Sequence, residues 1–155
     1  RNRSRRFVPV TTVFTRIIRG EIPGTFVWRD DFCVAFLSIN PLARGHTLVV
    51  PIEEIDHWID VPAELASHVF TVARHIGRAQ QAAFAPARVG LMIAGYEVPH
   101  THLHVVPTND MSELSFEHAQ PHVDRDDLAA AATSLRAELR AAGHTDPVEA
   151  ADPSS

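Results

Sequence analysis

The chain predicts an α+β domain, an antiparallel sheet with helices packed on one side. Three observations lead there. Five short apolar segments rich in Val, Ile and Phe follow one another along the chain. Most are joined by short polar connections. One long helical pattern interrupts the series and a second closes it. A parallel sheet would need a helix after nearly every strand, and the sequence does not supply them. The length of 155 residues suits one domain with one core.

Taken in order, "RNRSRRF" reads as part of a disordered basic tail over 1–10. It lacks the long apolar region of a secretory signal. "TTVFTRIIRGEIPG" predicts a short helix from about Thr12, ended by Gly20, Pro23 and Gly24. "TFVWRD" and "FCVAFLSI" predict two strands with turn residues between them, and "HTLVVP" a third after the loop "NPLARG". "EEIDHWIDVP" predicts a turn or a short helical piece. In "PAELASHVFTVARHIGRAQQAAF" the residues Leu65, Val69, Val72, Ile76 and Ala79 fall on one helical stripe. His68 and His75 lie in the same helix and read as solvated or rim positions. "RVGLMIAG" and "HTHLHVVP" predict strands four and five, followed by a polar segment over 108–126. Leu128, Ala131, Leu135 and Leu139 make the stripe of a last helix closed by Gly143. A single domain over 11–143 and a disordered end over 144–155 complete the expectation.

Composition excludes several chemistries. The net charge is −5, which argues against a nucleic-acid surface. All fourteen basic residues are arginine, so lysine Schiff-base chemistry and a lysine-bearing phosphate loop are ruled out. The one cysteine, Cys33, cannot form an internal disulfide or a Cys-x-x-Cys zinc site, and reads as a small buried hydrophobe. The lack of disulfides fits a reducing compartment, and a cytoplasmic protein is expected. No apolar run reaches the ~20 residues that cross a bilayer.

The informative stretch is "EVPHTHLHVVP". In a strand, His100, His102 and His104 share one face, with Thr101, Leu103 and Val105 on the other. Three readings compete. The face is a half-exposed polar one; or two of the rings bind a metal with help from His46; or the rings work on an anion. At ~3.4 Å per residue, His100 and His104 stand ~13 Å apart in an extended strand, too far to share an ion. In the third reading the middle imidazole attacks phosphorus while its neighbours donate hydrogen bonds or a proton.

"HTHLHVV" resembles the signature of the histidine triad (HIT) family, His-x-His-x-His followed by two apolar residues. "FTRIIRGEIPG", "AFLSINPLARGHTLVVP" and "GYEVPHTHLHVVP" are similar to the family's successive blocks, so the likeness covers roughly Val13 to Pro107. It implies a five-stranded antiparallel sheet with two principal helices, and a homodimer in which the sheet runs on across both subunits. It implies hydrolysis or transfer of a nucleoside monophosphate group at the α-phosphorus, with no metal and no cofactor in the chemical step. It makes His102 the nucleophile, His104 a donor to phosphate oxygen and His100 the ring that holds the tautomers. His46 would be a fourth histidine beside the triad. Backbone near Gly95 to Val98, Glu97 included, would face phosphate. Phe14, Ile17, Ile18, Phe36, Leu37 and Ile39 occupy the base-contacting blocks.

Departures fall on recognition rather than on the nucleophile. Ser38 stands where many members carry an acid or Asn for the ribose hydroxyls, Tyr96 where glutamine is frequent, and the loop before the triad is short. The resemblance thus implies a nucleoside phosphoramidase or related hydrolase. Its alternatives are a dinucleoside polyphosphate hydrolase or nucleotidyl transferase, and a nucleotide-binding scaffold with residual catalysis. The ring roles predict a bell-shaped dependence of kcat/KM on pH, because one ring must be neutral while another donates. A rate that stays flat from acid to base would contradict them.

Overall fold

The computed structural model describes residues 11–152. The basic stretch 1–10, expected to be disordered, lies outside the described residues. Thr12 caps helix α1 (Val13–Ile18), its hydroxyl accepting from the Thr15 amide, which satisfies one of the free donors of the first turn. Six residues make no stable helix alone. What holds α1 is burial of Phe14 against Phe36, Val34, Leu48 and Val50.

Those partners belong to a five-stranded antiparallel sheet, as the sequence predicts. Its strands are β1 (Phe26–Arg29), β2 (Cys33–Leu37), β3 (Thr47–Pro51), β4 (Arg88–Met92) and β5 (Leu103–Thr108), in the order β1-β2-β3-β5-β4. The β1–β2 turn forms because the Asp30 carboxylate accepts the Phe32 and Cys33 amides at 2.8 and 2.9 Å. Alternation along β2 then divides the molecule. Val34 and Phe36 face α1; Cys33, Ala35 and Leu37 face the opposite layer.

That opposite layer is helical. The stripe of α2 (Ala63–Phe84) buries Val69, Val72, Ala73, Ile76 and Ala79. Helix α3 (Arg125–Ala141) buries Ala131, Ala132, Leu135 and Leu139 and is capped by Asp124. Arg136 fastens α3 to β1 by donating from Nε and Nη2 to the Phe26 carbonyl, at 2.9 and 2.6 Å. "EEIDHWIDVP" yields a 3-10 turn at Trp58–Asp60, and the polar segment yields two more, at Met111–Leu114 and Phe116–His118.

One expectation is corrected. Part of the stretch 144–155, expected to be disordered, is helical: Thr145–Ala151 form α4. Val148 is fully buried in the helical-side core, Ala151 is also buried, and Asp152 pairs with Arg136 at 3.6 Å. Val148 and Ala151 lie three residues apart, on one edge of a turn. A count of the segment's polar residues hides so short an apolar edge.

Two features aim the segment before β3. Gly45 holds φ +88°, a conformation that side chains resist. A Cβ there would also fall on the Phe84 ring. Gln80, fully buried on α2, donates both amide hydrogens, to the carbonyls of Gly45 and Val105 at 3.0 and 2.9 Å, which ties β3 to β5 from behind. Gly45→Ala is expected to lower stability by roughly 1–3 kcal/mol, measured by chemical denaturation. A wild-type midpoint would refute the reading.

Candidate active site

The three histidines lie on the α1 side of the sheet, but not in one straight strand. β5 begins at Leu103, so His100 and His102 precede it and only His104 is within the ladder, opposite Leu48 and Met92. Of the three readings of this face, the half-exposed polar one does not hold. His100, His102 and His104 are buried, at 0, 6 and 8% exposure, because α1 and its Phe14 cover them. Phe14 meets the His102 ring edge-on at 4.9 Å and His100 at 5.8 Å; His102 meets His104 at 4.8 Å.

Obligate donors and acceptors fix the protons. The Leu42 amide can only donate, and it donates to His46 Nδ1 at 3.0 Å. The His46 proton therefore sits on Nε2, which donates to His104 Nδ1 at 3.0 Å. The His104 proton is left on its own Nε2. A carbonyl can only accept. His102 Nδ1–H donates to the His100 carbonyl at 2.6 Å, which leaves the lone pair of His102 on Nε2. His100 Nε2–H donates to the Pro51 carbonyl at 2.7 Å, and its Nδ1 takes the Thr12 hydroxyl at 2.7 Å. Every ring is neutral in this pattern, and burial favours that state. It pushes His46 down to about 4, with His102 adding to the effect, and His104 down to about 3, with His102 and His46 adding. His100 and His102 are lowered too, chiefly by burial.

A carboxylate that the sequence reading did not single out supports this arrangement. Glu54 accepts the Thr12 amide at 2.8 Å and the Thr15 hydroxyl at 2.5 Å. These bonds, the Thr15 hydroxyl first, hold its carboxyl below the usual range. Thr12 in turn holds His100. Phe116 was missed also. Its ring stands edge-on to His104 at 5.0 Å, so the polar segment lies against the site of its own chain. Asn40 fastens that segment by donating to the carbonyls of Gln120 and Pro121. An aromatic residue inside a polar run was the available signal.

Of the other expected residues, Phe14 and Phe36 share the cluster under α1, with Ile17, Ile18 and Val98 packed against it. Leu37 does not: it faces the helices, opposite to Phe36. Ile39 is 67% exposed, beyond the end of β2. Ser38 is half-buried beside His46; its amide donates to the His46 carbonyl at 2.9 Å and its hydroxyl accepts from Asn40 N. Glu97 is exposed. His68 and His75 are half-buried, as rim positions, and each has a partner. His68 Nε2 lies 2.7 Å from Asp30, and His75 stacks on Trp28 at 5.7 Å with His144 beyond it.

Residues 19–111 match the HIT domain. The chain belongs to the HIT family. Its similarity to an uncharacterized HIT-like protein of Borreliella burgdorferi is 37% identity over 102 residues, 61% of this chain and 73% of that one. With the adenosine 5'-monophosphoramidase of Saccharomyces cerevisiae it shares 30% over 99 residues, 63% of each. A solved HIT-like protein of Bartonella henselae, described as involved in cell-cycle regulation and crystallised with an unknown ligand, superposes with a TM-score of 0.73 at 28% identity. That match covers 83% of this chain and 96% of the other. Among the described residues no helix is long and apolar enough to cross a membrane.

The neutral rings tie stability to pH. His46 titrates near 4 when folded and near ~6.5 when unfolded, so between these values the unfolded chain binds more protons. The stabilisation is complete above ~6.5 and is lost as pH falls toward 4, by roughly 3 kcal/mol from this ring alone. Tm is expected to hold near neutrality and fall over that window, and His46→Gln to shrink the fall. A Tm unchanged down to pH 4 would contradict the proton assignment.

Proposed function

We propose that this HIT protein is a nucleotide hydrolase, a nucleoside phosphoramidase or close relative, working through a nucleotidyl-His102 intermediate. The observation that carries the reading is the bond from His102 Nδ1–H to the His100 carbonyl, because it leaves the Nε2 lone pair free in a ring that burial keeps neutral. In the first step the bond from Nε2 to the α-phosphorus forms as the bond from phosphorus to the leaving amine breaks, and the amine departs with a proton from water. In the second, water adds to phosphorus and gives a proton to the hydroxide left by the first step, the Nε2–phosphorus bond breaks, and the monophosphate leaves. His104 Nε2–H donates to a phosphate oxygen as charge builds there. Phe14, Ile18, Phe36 and Val98 offer the apolar side for the base. Ser38 supplies one hydroxyl for the ribose, and the backbone at Glu97 and Val98 faces the phosphate. Leu37 drops out of this list for its face, and Ile39, exposed beyond β2, stays in it as an outer contact for the base. The yeast phosphoramidase among its relatives supports the substrate class.

A homodimer is part of the same reading. β4 is an edge strand, and Leu91 on it and Phe70 on α2 are 42 and 56% exposed. Unpaired edge and exposed apolar surface together favour a second copy there.

His102→Ala is expected to abolish turnover of adenosine 5'-phosphoramidate, and quenched wild-type protein to carry one nucleotidyl group by mass spectrometry. Turnover surviving in the variant ends the proposal. Products from diadenosine polyphosphates, and transfer to acceptors other than water, separate the sister activities; tight monophosphate binding without turnover of any substrate would mark a scaffold. Light scattering is expected to give twice the 17.1 kDa chain mass, and Leu91→Arg a monomer.

A further inference from the structure

We propose that Asp30, Cys33 and His68 form a site for one zinc-class divalent cation, on the face of the sheet opposite the histidine rings. The donor set is one thiol sulfur, one imidazole nitrogen and one carboxylate oxygen, the types that zinc takes. The three ligand atoms all lie within 4.8 Å of one another. Around a tetrahedral zinc, with bonds of ~2.0–2.3 Å, ligand atoms stand ~3.2–3.8 Å apart. Cys33 Sγ and Asp30 Oδ2 already stand 3.7 Å apart. His68 Nε2 and Asp30 Oδ2 are 2.7 Å apart across a shared proton, and open by about half an ångström when a cation replaces it.

The site is built around its carboxylate. The Phe32 and Cys33 amides hold Oδ1, and Trp28 Nε1–H donates to Oδ2 at 2.8 Å. None of these three bonds has to break, and they are the kind of outer support that orients metal ligands. Phe32 braces the His68 ring edge-on at 5.3 Å. Cys33 closes the site from the core side with no exposure, while the side chains of His68 and Asp30 keep 35 and 21% and give a cation its way in. The fourth position is left to water.

Charge favours the assembly. The Cys33 thiolate and the Asp30 carboxylate together balance a doubly charged ion. The thiol proton leaves to solvent, and the His68 proton moves from Nε2 to Nδ1. Without a cation the thiol keeps its proton, since burial and the Asp30 charge both push it up. The rival reading is that Asp30 is only a turn hub, complete with its hydrogen bonds. A bound cation would instead clamp α2 to the β1–β2 hairpin through three residues that hydrolysis does not use.

Because Cys33 is the chain's one thiol, cobalt(II) separates this site from the histidine rings. Chelator-stripped protein titrated with Co2+ is expected to develop a sulfur-to-cobalt charge-transfer band in the near ultraviolet. The band should saturate at one equivalent and be discharged by Zn2+. His68→Gln should weaken the binding at least ~10-fold, Cys33→Ser abolish the band, and His102→Ala leave it unchanged. Zn2+ should raise the Tm of wild type but not of Cys33→Ser. Circular dichroism checks that each variant is folded, and Cys33→Ser should turn over substrate as wild type does. No sulfur band at stoichiometric metal, or a band of equal affinity in folded His68→Gln, overturns the proposal, whatever the outcome for His102.

Discussion

The amide of Leu42 sets the protons of two of the four rings. It can only donate, and it donates into His46. From that bond the proton on His46, the lone pair that His104 turns to it, and the outward Nε2–H of His104 all follow. The His100 carbonyl does the same for His102 from the other side. Two backbone groups therefore impose opposite tautomers on neighbouring rings. One of the two exposes a lone pair and the other a donor. A nucleophile beside a hydrogen-bond donor is what attack on a phosphorus centre needs. A protonated His46 would turn an N–H against the Leu42 amide, so acid opposes both the fold and the site.

The sheet serves this arrangement by dividing labour between its faces. The helical layer of α2, α3 and α4 supplies the large core. The other face holds a smaller cluster under α1, whose Phe14 packs on the rings. Gln80 joins the two sides. From the helical layer it holds the backbone just before His46 and just after His104, so packing on one face fixes ring positions on the other. Glu54 acts from the far end, through Thr12 and Thr15, on His100. Helix α1 is then both a lid over the rings and a bracket for them.

Much of this was legible in the order of residues. The five strands, the stripes of α2 and α3 and the Asp-rich turn were set by periodicity and turn chemistry, which are local. The triad and His46 were legible as a motif. Misreadings came where a few residues are stabilised by distant partners. α4 depends on a socket for Val148 that other elements build. His68 finds its partner only when the hairpin brings Asp30 to it. Leu37 and Phe36 are equally apolar, and only the register of β2 tells the α1 side from the helical side.

The sequence alone determined the chemical inventory: three alternating imidazoles, a fourth nearby, one thiol and no lysine. Tertiary structure decided which nitrogen of each ring is free. That choice rests on backbone groups and side chains far along the chain, Thr12 beside His100 and His46 beside His104. A tautomer is a property of a ring's two neighbours in space, and sequence spacing does not carry it.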